Sequence, residues 1–214
     1  MKGQSLTRRA SPGRKFTTPG KRAGHASVAA VPPPCGIFIL AGGLSRRMGR
    51  DKSRLPLGCE TMLATIRRSA RAANLPTRII RRDSVPRCGP LGGIYSAMLA
   101  ANLDRLLFLA CDMPFVTTEL IQLILTTLGP KYNGVFVQTR GGPGFPILLR
   151  RDILPVVRKQ IERGDFSLQT LAKEISAKIL RLPRKFDPQL RNINTPAEWA
   201  FACKLWRHRN LSRP

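Results

Sequence analysis

The chain has 214 residues, 43% of them hydrophobic and 23% charged, values of a globular protein that exclude wholesale disorder and collagen-like or coiled-coil polymers. Against 12 acidic residues stand 37 Lys and Arg, a formal charge of +25 that predicts attraction to polyanions without saying whether these are nucleic acids, nucleotides or phosphorylated cofactors. The length suits one ordinary α/β domain.

Residues 1–34 carry seven Lys and Arg and no acid, mixed with Ser, Thr, Pro and Gly, and are expected to form a disordered basic tail. Removing those seven charges from +25 leaves +18 on the remainder, so the excess is not a property of the tail alone. The first apolar run, residues 36–41, is far shorter than the roughly 20 residues that span a bilayer. Pro32, Pro33 and Pro34 also break any signal-like helix ahead of it, so no membrane partner and a cytoplasmic location are expected. Five cysteines (35, 59, 88, 111 and 203) are scattered without zinc-site spacing, in keeping with a reducing compartment.

From Cys35 onward short apolar runs alternate with amphipathic patterns, the mark of βαβ units on a mostly parallel sheet. Strands are expected at residues 36–40, 78–81, 106–110, 135–138 and 147–149, and helices at 62–73, 91–101, 119–128 and 152–163. In the second helix Ile94, Ala97, Met98 and Ala101 repeat at i, i+3, i+4, i+7 and define a buried face. Thr195, Pro196 and Glu198 form a capping box with Pro at the first helical position, opening a helix through Lys204 or beyond. The domain is drawn over residues 35–206, with a flexible end at 207–214.

The stretch Leu40-Ala41-Gly42-Gly43-Leu44-Ser45-Arg46-Arg47-Met48-Gly49-Arg50-Asp51-Lys52 follows the first strand directly. Gly42 and Gly43 carry no side chain to keep phosphate oxygens from backbone N–H groups, and Arg47 and Lys52 add cations to the same loop. Its spacing is neither a Walker loop nor the GxGxxG dinucleotide fingerprint. Taken alone, it is either a phosphate cradle or a plain tight turn. Asp112 follows the apolar run 106–110 and so sits at a strand's carboxyl end, where open α/β sheets place ligands. A carboxylate there is a candidate to hold Mg²⁺ against phosphate oxygens, the alternative being a simple turn cap. Neither His25 nor His208 lies in a motif.

The glycine-rich loop resembles the LAGGxSxRMGxDK signature of the molybdenum cofactor guanylyltransferase family. Three further segments match that family in the same order: Gly89-Pro90-Leu91-Gly92-Gly93, Cys111-Asp112-Met113-Pro114-Phe115 and Asn192-Ile193-Asn194-Thr195-Pro196. The resemblance implies a three-layer Rossmann-like nucleotidyltransferase fold that transfers GMP from GTP to the molybdenum-molybdopterin cofactor and releases pyrophosphate. It implies nucleotide contacts at Leu40, Ala41, Gly42, Gly43, Lys52, Asp83 and Asp112, with Asp83 on the guanosine and Asp112 also on Mg²⁺. Arg47, Lys52 and Asp112 are then the catalytic set, Asn192 and Asn194 face the acceptor, and molybdoenzymes or other cofactor-assembly proteins are candidate partners. Gly43, where cytidylyl-transferring relatives have Ala, favours the guanylyl branch.

One departure stands out. Only about twenty residues separate Thr61 from Asp83, room for a helix and one strand, so a helix end and a strand of the family pattern are expected to be missing. Asn74 in that interval is given no nucleotide role. The charge and this shortening support an alternative, a catalytically impaired member that binds nucleotides or nucleic acid as a scaffold. Lys52, Asp83 and Asp112 oppose it, as does the lack of aromatic residues among the basic stretches.

Overall fold

A computed structural model describes residues 34–42 and 51–211. The expectations for the basic tail, for Gly43 and Arg47 and for the extreme C-terminus lie outside the described residues, apart from Pro34 and the end of the last helix.

The first strand, β1 (Cys35–Leu40), is buried along nearly its whole length, as a continuous apolar run covered on both faces must be. A two-stranded hairpin follows, β2 (Pro56–Leu57) and β3 (Glu60–Thr61), turning at Gly58 in the left-handed region (φ +66°). A Cβ at Gly58 would collide with the Trp206 indole, so this turn needs glycine for both backbone and space. Thr61 then caps α1 (Met62–Arg71), its hydroxyl accepting from the Ala64 N–H at 3.1 Å. Asn74 ends that helical region in the left-handed conformation (φ 56°), which Asn tolerates better than most residues.

Next come β4 (Thr77–Ile80), α2 (Gly89–Ala100), β5 (Arg105–Ala110), α3 (Thr118–Thr127), β6 (Gly134–Thr139) and β7 (Gly142–Arg150). After these follow α4 (Leu154–Glu162), α5 (Leu168–Glu174), β8 (Lys178–Leu180) and α6 (Pro196–Leu211). The sheet order is β4-β1-β5-β7-β6-β8. Every pair in it is parallel except those made by β7, which runs antiparallel to both β5 and β6.

The sheet is the middle of three layers. Ile37, Ile39, Leu107 and Leu109 pack on one face against Ile66 and Ala70 of α1 and Leu120, Ile121 and Ile124 of α3. Phe38, Leu106 and Phe108 pack on the other against Leu91, Ile94 and Met98 of α2, Val157 of α4 and Leu171 of α5. The alternation along β1 and β5 feeds both layers, and each large side chain so buried contributes about 1.5–3 kcal/mol. The predicted face of α2 is buried throughout, from Ile94 to Ala101.

Between Thr61 and Asp83 the chain holds one helix and one strand, as its length requires, and β4 is an edge strand. Three elements went unread in the sequence: the β2–β3 hairpin, α5 and β8, of two, seven and three residues per element. The C-terminal helix runs to Leu211, past the boundary drawn at residue 206. No Gly or Pro interrupts the sequence between Pro196 and Pro214 to stop it sooner.

Candidate functional site

The carboxyl ends of β1 and β5, the start of α2 and the short helical turn at Lys52–Arg54 enclose a cleft of about 1290 Å³. This is the position that an open α/β sheet reserves for ligands. Leu40, Ala41, Gly42, Lys52, Asp83 and Asp112 all line it. Six of the sequence-predicted residues therefore come together, although as many as 72 residues separate the first from the last.

At one end of the cleft stands Asp112, two residues past the end of β5. Its Oδ1 is enclosed by protein and has no hydrogen-bond partner among the described residues. Burial pushes its pKa up, while the Lys52 ammonium pulls it down and Glu198 pushes it up further. A buried carboxylate oxygen left unpaired is costly unless something positive or protic meets it, so Asp112 is a candidate position for a cation. An oxygen-only donor of this kind suits Mg²⁺, which protein sites commonly hold through one or two carboxylates together with substrate phosphates and water.

The Lys52 ammonium donates to Asn194 Oδ1 at 2.6 Å, and the Ile193 N–H donates to the Asp112 carbonyl at 2.8 Å. Two bonds thus tie the C-terminal segment to the phosphate loop and to the β5 end. That segment is held in turn by its capping box: Glu198 accepts from the Asn194 and Thr195 N–H groups at 2.7 and 2.9 Å, and Thr195 Oγ1 accepts from the Glu198 N–H at 3.2 Å. These bonds hold the Glu198 carboxyl below its ordinary pKa. Beside Lys52, Asp51 accepts from the N–H and hydroxyl of Ser53 at 2.9 and 2.7 Å, which lowers its pKa and closes the turn.

Asp83 occupies the other end. A Cβ added at Gly92 or Gly93 would lie 3.2 or 3.3 Å from its carboxylate oxygens, and one at Gly42 would lie 3.6 Å away. Three glycines from two motifs thus clear the space around one carboxylate, and burial raises its pKa. At Gly42 a Cβ would also press on the Arg81 carbonyl at 3.1 Å, so the loop passes close against the end of β4. Within α2, Ser96 Oγ donates to the Gly92 carbonyl and accepts from the Ser84 N–H, both at 2.7 Å, pinning the Asp83 loop to the helix.

Asn192 lies elsewhere, in a second cavity of about 820 Å³ with Gln138, Arg140, Arg191 and Phe201. Ile193 and Glu198 line this cavity too, so the capping segment separates it from Asp112. Of the two asparagines expected at an acceptor, one faces this second cavity and the other holds Lys52.

Among the residues lining the main cleft to which the sequence reading gave no site role are Arg81, Arg82, Arg87 and Phe145. For the first two, the signal was available. They directly follow β4, and residues after a parallel strand's carboxyl end face the ligand side. Phe145 had none, because it falls where the pairing of β6 and β7 shifts register between Phe136 and Val137, an irregularity that period alone does not report.

A model of the MobA-like NTP transferase domain matches residues 37–179. A molybdenum cofactor guanylyltransferase of Pseudomonas paraeruginosa is 30% identical over 183 residues, covering 77% of this chain and 92% of that protein. A second, from Pseudomonas putida, is 32% identical over 184 residues, covering 77% of this chain and 95% of its own. Among solved structures, a nucleotidyl transferase from Methanothermobacter superposes with a TM-score of 0.65 at 18% identity, over 83% of this chain and 99% of that one. Molybdopterin-guanine dinucleotide biosynthesis protein A from Archaeoglobus fulgidus does so at 0.60 and 17%, over 81% and 99%. At such identities these two superpositions speak for the fold.

Proposed function

Because the chain belongs to the MobA-like NTP transferase domain family and is a nucleotidyltransferase, we propose that it transfers GMP from GTP to the terminal phosphate of the molybdenum-molybdopterin cofactor. The observation that carries this reading is the buried, unpartnered Oδ1 of Asp112 beside Lys52, at the sheet's carboxyl edge. In the reaction an acceptor phosphate oxygen attacks the α-phosphorus of GTP in line. The bond between that phosphorus and the bridging oxygen breaks, and pyrophosphate leaves.

Little proton transfer is needed, so positioning and charge supply the rate. Lys52, fixed by Asn194, meets the negative charge that grows on the departing pyrophosphate, with Arg47 assigned the same role from the sequence. The backbone of Leu40, Ala41 and Gly42 gives the phosphates close approach, with Gly43 assigned the same role from the sequence. Asp83, cleared on three sides by glycines, accepts from the donor edge of guanine. Asp112 would hold Mg²⁺, which supplies positive charge against the phosphate oxygens. The acceptor is assigned to the side of Asn192 and Asn194, where the second cavity offers amides and the cations Arg140 and Arg191. None of the described helices is long and apolar enough to cross a membrane, and we place the enzyme with its substrates in the cytoplasm.

Pyrophosphate release from GTP in the presence of molybdenum-loaded molybdopterin tests this directly. Turnover is expected for the wild type and not for Asp112→Asn. If neither GTP nor GDP binds at millimolar concentration with Mg²⁺, the enzymatic reading falls; binding of CTP in place of GTP would remove the guanine assignment and leave the reaction class.

A further inference from the structure

The outer side of β4 is an interaction surface of its own. β4 pairs with β1 alone among the described strands. The Ile37 N–H donates to the Pro76 carbonyl and the Ala41 N–H to the Ile80 carbonyl, both at 2.8 Å. In a parallel ladder the residues facing a partner alternate, so Arg78 also faces β1 while the N–H and C=O groups of Thr77 and Ile79 point away from it. These groups form a short open ladder at the edge of the sheet. The strand is only half-buried, and its Arg78 side chain is exposed.

Charge decides what can use that ladder. Residues 62–82 contain six arginines and no acid. Arg68 is engaged with Glu60 and lies over the Trp206 ring. Arg67, Arg71, Arg78, Arg81 and Arg82 are exposed and have no carboxylate within ion-pair distance among the described residues. A second copy of this chain would bring Arg78 against Arg78 and is repelled. An extended segment carrying acidic side chains is attracted by the arginines and can complete the ladder with its backbone.

We propose that the β4 edge docks an acidic, extended segment of a partner protein by strand addition, using the outward backbone groups of Thr77 and Ile79 and the arginines around them. This proposal is independent of the transfer reaction: Arg81 and Arg82 also line the main cleft, whereas Arg78, Thr77 and Ile79 do not, and the test is built on these. Two features set its strength. Few backbone bonds form, so affinity is modest, and the exposed charges make it sensitive to salt.

The test uses the full chain and a fluorescein-labelled synthetic peptide of alternating Glu and Val, read by fluorescence anisotropy at low ionic strength. Saturable binding is expected. The same peptide N-methylated at alternate amides keeps its charge but cannot complete the ladder, and is expected to bind about tenfold more weakly. Arg78→Glu, checked for an unchanged melting temperature, is expected to weaken the unmodified peptide by a similar factor. Equal binding of the methylated and unmodified peptides overturns the proposal, since charge alone then suffices. Preference for an oligothymidylate of equal charge overturns it too, because the edge is then a nucleic-acid surface. A dimer seen by light scattering, abolished by Arg78→Glu, would also overturn it, by assigning the edge to a second copy. The comparison of the two peptides needs no variant and stands whether or not Arg78→Glu folds.

Discussion

The two carboxylates of the cleft have been buried in different ways. Asp112 is enclosed with a counter-charge, Lys52, which Asn194 holds in place; Asp83 is part-buried beside glycines, and no cation among the described residues lowers its pKa. Both have raised pKa values, and desolvation is the leading cause for each. The difference lies in what remains to be satisfied. Asp112 has an oxygen with no partner among the described residues, near the Lys52 ammonium that Asn194 holds, and it would hold a cation that supplies positive charge against phosphate oxygens. Asp83 has open space in front of it, an arrangement that welcomes a neutral hydrogen-bond donor. On the proposed function, one cleft thus has a charge-handling end and a recognition end, and each should fail in its own way when changed.

The largest effect is expected at the charge-handling end. Asp112→Asn should lower the rate of nucleotidyl transfer by about 10²–10³-fold, the scale of a single electrostatic group at a reacting centre. It should do so without loss of stability. Because the folded pKa of Asp112 is raised, the ionised carboxylate opposes folding above that pKa, and the penalty vanishes as pH falls below the ordinary value near 3.8. Thermal melts should therefore show Asp112→Asn more stable than wild type at pH 7, with the gap closing on acidification. An Asn variant that is both inactive and unstable would mean that Asp112 is a structural cap.

Next in size is Lys52→Met. Losing one charge-assisted contact to phosphate costs about 1.5–3 kcal/mol, so kcat/KM for GTP should fall by about 10- to 100-fold. The break with Asn194 should be partly mimicked by Asn194→Ala, which leaves the ammonium present but unplaced. If Asn194→Ala has no effect on kcat/KM, the 2.6 Å bond is not what positions Lys52.

At the recognition end a smaller and more selective effect is expected. Asp83→Asn should weaken GTP by about tenfold while leaving ATP unchanged, because only guanine presents two donors to a carboxylate. Acidification should have the same effect in the wild type: as pH falls through the raised pKa of Asp83, the carboxyl gains a proton and loses acceptor capacity, so GTP affinity declines. Calorimetry across this pH range with both nucleotides separates the two ends of the cleft. A decline shared equally by ATP would place the effect at Asp112.

The charge-handling end was the more legible in the sequence, for a physical reason. Its residues sit in runs where consecutive positions do one job: strand, glycine turn, cation; or apolar strand, then carboxylate. Periodicity located β1 and β5, and the strand ends then located Lys52 and Asp112. The recognition end depends on space. That Gly42, Gly92 and Gly93 surround Asp83 follows from how α2 packs against β1, and no local pattern reports it. Arg81 and Arg82, at and after the end of the predicted strand 78–81, could have been read from that strand's carboxyl end, whereas Arg87 was visible only as surplus charge. Elements of two or three residues, such as the β2–β3 hairpin and β8, fall below the length at which period can be read at all. For α5 a signal existed, since Ser167 caps it by accepting from the Thr170 N–H at 3.2 Å.

The smallest expected effect probes what joins the two cavities. Glu198 is exposed and lines the second cavity, and it accepts from the N–H groups of Asn194 and Thr195 and so fixes the segment that supplies Asn194 to Lys52. Glu198→Ala removes that acceptor and should cost about 1 kcal/mol of stability, a typical loss for a helix cap. It also removes a negative charge that raises the pKa of Asp112, so that carboxyl should titrate lower. Glu198→Gln keeps an acceptor and loses the charge. The pair separates the two roles: if the segment matters for positioning, KM for GTP rises in the Ala variant and is restored in the Gln variant, while both lower the pKa of Asp112. If KM rises equally in both, the charge of Glu198 acts on the phosphate end directly, and the capping box serves the helix alone.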